Sequence, residues 1–373
     1  MNIVSVEAIP LRAELSAPFR FAHITRTVSS NVVVRLTTDE GLVGWGEACP
    51  VPQLTAETQR SIVEIVDERV APVLLGADPL HRSEWAGRIL STSHAIDFTM
   101  AAVDTALLDI AAKSAGVPLS RHLGGYATDT VEVHGSVGWD ADPATVARTA
   151  ATAAERFRWL KLYAGRGSLE GDLRGIEAAR EEVGEAHPFL LDVNGLWSVT
   201  DVARAADRLR RAGVRLVEQP VAPTDLPGNA RATRILTDGN GIDVVADESV
   251  RRPQDVVRVA HAEAASVVNV GLSKLGGVSA ALRTADVARA HGLGVLVGGV
   301  VELGIANAAG LHLAACVGAT SGPAYLMGPL KYARQITAPV IAPVDSTLEV
   351  PRGPGLGVEI DEEALTALDA RRH

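Results

Sequence analysis

Cysteine is scarce: Cys49 and Cys316 are the only two in 373 residues. Neither their spacing nor their density suits a disulfide scaffold or a thiolate metal site, so a reducing cytoplasm is the expected setting. Aromatic residues are equally sparse at 4%, and no basic block interrupts a formal net charge of −10. That balance argues against a nucleic-acid groove and leaves the acidity as a matter of solubility. The opening residues, MNIVSVEAIPLRAEL, lack the charged start and apolar core of a secretion signal. The apolar stretch 294–319 carries Glu302, Asn307, His312 and six glycines, which favours a buried strand, loop and helix over a membrane span. Low-complexity segments and linkers are also missing. At this length, with 47% apolar residues, the chain suits a barrel plus a smaller companion domain.

What the chain does have is a repeat of acids. Asp192 in FLLDVNG, Glu218 in RLVEQP and Asp247 in DVVADES each end a short apolar run, and they lie 26 and 29 residues apart. That interval is one strand, one helix and two loops, so the three carboxylates are expected at the ends of consecutive parallel strands. Parallel strands of a barrel bring such ends to one mouth, where hard oxygen ligands converge on a divalent cation. Other expected strands are Val131–His134, Trp159–Tyr163, Asp243–Ala246, Ser266–Val270 and Gly294–Val297, with the segment near Ala324–Met327 completing or replacing an eighth. Upstream, residues 31–48 read as a hairpin turning at Asp39-Glu40-Gly41, and residues 95–115 as a helix stopped by Gly116 and Pro118.

The ordered set LKLYAGRG, LDVNG, VEQP, ADES and SVVNVGLSKLGG, with the GLVGWGEA hairpin and the closing PRGPGLGVEID, resembles the enolase superfamily. Within it the likeness is to the muconate lactonizing enzyme subgroup (the mandelate racemase/muconate lactonizing enzyme family), and it runs essentially end to end. The resemblance implies an α/β fold, a modified TIM-type (β/α)7β barrel with an α+β capping domain built from both chain ends. The expected divisions are residues 1–125 for the cap, 126–338 for the barrel and 339–373 for a segment returning to the cap. It also implies Mg²⁺, with Mn²⁺ as the alternative, on Asp192, Glu218 and Asp247. The shared chemistry is removal of a proton α to a carboxylate, and family members are commonly dimers or octamers. Asn194 and Glu248, beside the ligands, are expected to orient them.

The chain departs from the family pattern at the base. The second barrel strand there ends Lys-x-Lys, whereas this chain has Lys161-Leu162-Tyr163, and the sixth-strand lysine is replaced by Gly271. Lys274 has the wrong strand parity to fill that vacancy. Tyr163 is therefore the expected base, its pKa lowered by Lys161 two residues away on the same face, with a Lys161 base and Tyr163 acid as the competitor. Glu302 is expected to orient the base side or accept a proton. Substrate contacts are expected from a cap loop carrying Phe21, Thr25 and Arg26, from Val51, and from Ser136, Asn194 and Gly271 in the barrel. The predicted function is a Mg²⁺-dependent, cycloisomerase-like, one-base isomerase acting on a small carboxylate. A dehydratase or β-eliminating lyase is the alternative, and a metal-binding barrel without catalysis is the alternative of another class.

Overall fold

The computed structural model describes every residue except Tyr126 and His373, so the expected start of the barrel at 126 lies outside the described residues. The chain opens with a three-stranded antiparallel sheet in which β1 (Ile3–Phe21), β2 (Ile24–Thr38) and β3 (Val43–Ala48) are ordered consecutively. The β2–β3 hairpin turns where the sequence predicts. Phe21, Thr25 and Arg26, expected on a loop, instead stand at the tip of the long β1–β2 hairpin, where Phe19 pairs with Arg26, Arg20 with Thr25 and Phe21 with Ile24. Helix α1 (Asp97–Ser114) lies across β3. Gly44 and Gly46 allow this approach, since a Cβ on either would stand 2.2 Å and 1.8 Å from the carbonyl oxygens of Ala106 and Ala102.

The barrel sheet is all parallel. After a short strand β4 (Thr130–Glu132) come β5 (His134–Val137), β6 (Trp159–Tyr163), β7 (Phe189–Asp192), β8 (Val214–Glu218), β9 (Asp243–Ala246), β10 (Val267–Asn269) and β11 (Gly294–Leu296), hydrogen-bonded in sequence order. Each of β5 to β11 is followed by a helix that covers the outside; α2 (Val199–Arg211), between β7 and β8, is closed at its start by a reciprocal Ser198–Asp201 capping box. The expected first strand, Val131–His134, divides: β4 leaves the barrel to pair with Thr347–Glu349, and His134 opens the true first strand. No regular eighth strand forms among the described residues. Residues 321–325 close the ring instead, with Ser321 and Tyr325 N–H groups donating to Val295 and Val297 on one side and Ala324 N–H to Glu132 on the other.

Alternation along these strands decides what fills the barrel. Leu190, Leu216, Val245, Val267 and Leu296, with Trp159 against them, form an apolar plug at its floor. One step further along the same faces the inward positions become Lys161, Asp192, Glu218 and Asn269. A polar layer therefore rests on a dry floor.

The cap is locked to the barrel by a buried acid. Glu47 on β3, 1% exposed, accepts hydrogen bonds from the N–H groups of Leu303 (2.7 Å) and Ala306 (3.0 Å) at the start of helix α3 (Gly304–Val317). Asn31 Nδ2 supports it at 2.7 Å. Glu47→Ala is expected to strand these buried donors and cost about 1–3 kcal/mol, read as an earlier urea midpoint with an unchanged slope. Among the described residues, no helix is long and apolar enough to cross a membrane.

Candidate active site

A cavity of about 490 Å³, including its open mouth, lies where the cap hairpin covers the barrel. Lys161, Tyr163, Asp192, Asn194, Glu218, Asp247 and Glu248 reach it from the barrel, and Phe19, Phe21, Val51, Gln53 and Leu54 from the cap. The expected metal ligands and the expected acid/base pair thus share one space. Lys161 Nζ stands between two of the acids, 2.8 Å from Asp192 Oδ2 and 2.6 Å from Glu218 Oε2. Asn269 Nδ2 donates to the other Glu218 oxygen at 2.8 Å. Lys274, on a helical turn after β10, pairs with Asp247 at 3.0 Å and donates to the carbonyls of Asp247 and Val250.

Charge in this layer does not balance. Asp192, Glu218, Asp247 and Glu248 bring four carboxylates against the two ammonium groups of Lys161 and Lys274, an excess of two negative charges. The acids register it: burial pushes Glu218 up to about 7, with Asp192 and Asp247 adding to the rise against the pull of Lys161. Burial, then repulsion from Asp247, Asp192 and Glu218, holds Glu248 well above the usual carboxylate range. Two buried oxygens in the same layer, Glu248 Oε2 and Asn194 Oδ1, have no hydrogen-bond partner. An excess of two charges on hard oxygen donors suits a divalent cation of the Mg²⁺ type. Among the described residues, no three His, Cys, Asp or Glu side chains are already gathered as a metal cluster. The two lysines occupy the carboxylates instead.

The acid/base pair differs from expectation. Burial alone would depress the Lys161 ammonium, but Asp192 and Glu218 outweigh it and hold the group well above the normal lysine value. For Tyr163 burial prevails over the neighbouring Lys161 charge, and its pKa is raised well above 10 where lowering was expected. Both side chains therefore sit in their protonated forms.

Several expected contacts are not at the cavity. Glu302 is buried, but its carboxylate turns into its own loop, accepting from Val300 N–H at 2.9 Å and Ser273 Oγ at 3.2 Å. Arg26 points inward to Ser29, Cys49 and the Pro50 carbonyl, and Thr25 faces solvent. Gly271 donates its N–H to Asn269 Oδ1, and a Cβ there would meet Gly298 O only at 3.4 Å, an ordinary contact. Ser136 stands beside Lys161 in register, its hydroxyl facing Tyr325. Tyr325, at the cavity wall and stacked on His134 at 5.2 Å, was not foreseen. It belongs to the irregular segment that closes the ring, where no periodicity marks which residues face inward.

A carboxylate-rich barrel mouth under an α+β cap, with a lysine and a tyrosine on one wall, defines an enzyme of acid/base type. Residues 3–124 match the mandelate racemase/muconate lactonizing enzyme N-terminal domain and residues 145–364 the enolase C-terminal domain-like family. The chain is 31% identical to L-Ala-D/L-Glu epimerase of Bacillus subtilis (strain 168), over 96% of its own length and 97% of the relative's. It is 30% identical to muconate cycloisomerase 1 of Pseudomonas putida, over 95% and 94%. The crystal structure of N-succinyl Arg/Lys racemase from Bacillus cereus ATCC 14579 superposes with a TM-score of 0.93 at 26% identity, over 99% of this chain and 98% of that one. The chain belongs to the mandelate racemase/muconate lactonizing enzyme family of the enolase superfamily. These relatives are isomerases, and enzymes of this type are metal-dependent.

Proposed function

We propose that the protein is a Mg²⁺-dependent isomerase that removes the proton α to the carboxylate of a small acid by one-base, cycloisomerase-like chemistry. The observation that carries this reading is the one-sided placement of acid/base groups. Lys161 and Tyr163 share the inward face of β6, while across the ring the end of β10 offers Gly271, Lys274 is bound to Asp247, and Glu302 turns away.

Asp192, Glu218 and Asp247 would hold the cation, which when bound would supply fixed positive charge to the substrate carboxylate and would offset the carboxylate charge that keeps Lys161 protonated. Lys161 is then placed to take the α-proton, and Tyr163, whose phenol resists ionisation, to donate a hydrogen bond or return a proton. The apolar floor of the barrel and the Phe19–Phe21 lid limit water around them.

Exchange of the substrate α-proton in D₂O tests the assignment. Lys161→Met is expected to abolish exchange, whereas Tyr163→Phe retains binding and slows turnover by about 10²–10⁴-fold. Exchange lost only in the tyrosine variant would return the base role to Tyr163. Screening N-succinyl amino acids, dipeptides, muconates, lactones and sugar acids by polarimetry and mass is expected to show a change in connectivity. Efficient racemisation with mass and connectivity unchanged contradicts the one-base reading.

A further inference from the structure

A second cavity, of about 1280 Å³ including its open mouth, lies along the seam between the cap and the outer helices of the barrel. It shares no lining residue with the active-site cavity. One wall comes from the cap helix Arg82–Thr92 and the start of α1, the other from residues 251–254 after β9 and 275–283 after β10. Arginine dominates both walls. Arg82 reaches the cleft from the cap and Arg251, Arg252 and Arg283 from the barrel, against two carboxylates, Asp97 and Asp104.

Both carboxylates are already taken. Asp104 pairs with Arg82 at 2.9 Å and accepts from Ser279 N–H at 3.0 Å, while Asp97 pairs with Arg251 at 2.8 Å. Arg252 and Arg283 line the same cleft as exposed residues, and among the described residues neither guanidinium meets a carboxylate, a carbonyl or an aromatic face. Four guanidinium charges against two carboxylates leave an excess of two positive charges. The sign is opposite to the formal net charge of −10 on the whole chain, so the cleft is not a sample of the general surface. A concave wall of one sign concentrates its field and gathers counter-ions.

The unpaired arginines stand beside anchored neighbours. Arg252 follows Arg251, whose guanidinium donates to the carbonyls of Leu54 and, at 3.2 Å, Lys274 as well as pairing with Asp97. Arg283 lies one helical turn beyond Ser279, on the same face of the helix Val278–Ala290, and Ser279 is held to the cap by Asp104. Such anchoring lowers the cost of ordering a site when a ligand arrives.

We propose that this cleft is a second binding site, which takes a small molecule with two or more adjacent anionic groups, phosphate or carboxylate, on Arg252 and Arg283. Guanidinium forks grip the oxygens of either group two at a time, and a doubly negative ligand matches the excess charge. The site is separate from the isomerase reading.

Calorimetric titration of the whole chain in metal-free buffer, with pyrophosphate and separately with citrate, tests the proposal. One saturable site is expected for at least one probe, and the probe that binds tells phosphate from carboxylate chemistry. Arg252→Gln combined with Arg283→Gln is expected to weaken binding at least about tenfold, the scale of lost charged hydrogen bonds, whereas lysine at both positions keeps part of it. Both residues are exposed, so the urea midpoint of the glutamine variant should stay near that of the wild type. Glu218→Gln, at the barrel mouth, is expected to leave probe affinity within about twofold, which places the ligand outside the active site. No saturable binding of either probe, affinity unchanged in the double glutamine variant, or affinity lost in Glu218→Gln overturns the proposal. Each of these results would leave the isomerase reading standing.

Discussion

Lys161→Met is expected to unfold at markedly lower denaturant than the wild type when Mg²⁺ is withheld, and to recover much of the loss when Mg²⁺ is added. The side chain is 6% exposed and holds apart two buried carboxylates, each within 2.8 Å. Removing one partner of a buried ion pair costs about 3–5 kcal/mol, because the remaining charge is left without compensation. The defect should also depend on pH in a defined sense. Glu218 already has a folded pKa raised to about 7 from 4.5, and loss of Lys161, which pulls it down, raises it further. An acid with a raised folded pKa destabilises the fold only where the unfolded chain is ionised. The penalty is therefore small below pH 4.5 and grows as pH rises through 7. Urea midpoints at pH 5 and pH 8, with and without Mg²⁺, measure both effects. A penalty equal at the two pH values, or no recovery with Mg²⁺, would contradict this account of the layer.

Glu218→Gln is expected to lower Mg²⁺-dependent turnover by about 10³-fold or more, since the cation must hold charge that builds in the transition state. The amide keeps the shape and the contact with Asn269, so the fold should survive. Glu302→Gln provides the contrast. Its carboxylate meets only Ser273 and its own loop, and it is not among the residues lining the cavity, so turnover should change by less than about tenfold. Rates of α-proton exchange in the two variants, measured side by side, separate a residue of the site from a residue behind it. A loss in Glu302→Gln as large as in Glu218→Gln would restore Glu302 to the chemistry.

The parts of the site that were legible in the sequence are those carried by regular strands. Asp192, Glu218 and Asp247 could be placed because each ends an apolar run at a repeated interval, and Lys161 with Tyr163 because alternate residues share a strand face. Where the backbone leaves that regularity, parity no longer reports direction. Glu302 follows β11 across a turn, so its place in an apolar stretch suggested an inward side chain that the loop turns away. Tyr325 sits in a segment that closes the ring through isolated backbone hydrogen bonds, without a periodic pattern. Thr25 and Arg26 read as loop residues in the sequence, yet the β1–β2 strands extend further than their composition suggests and take both in. Tyr163 shows a different limit: sequence reveals the neighbouring positive charge of Lys161 but not the degree of burial, and burial decides the direction of the shift.

The central claim is that three strand-end carboxylates hold one divalent cation, and calorimetric titration with Mg²⁺ tests it most directly. The wild type is expected to show one saturable site, and Asp192→Asn and Glu218→Gln to lose it while remaining folded. Unchanged Mg²⁺ affinity in both variants would contradict the claim.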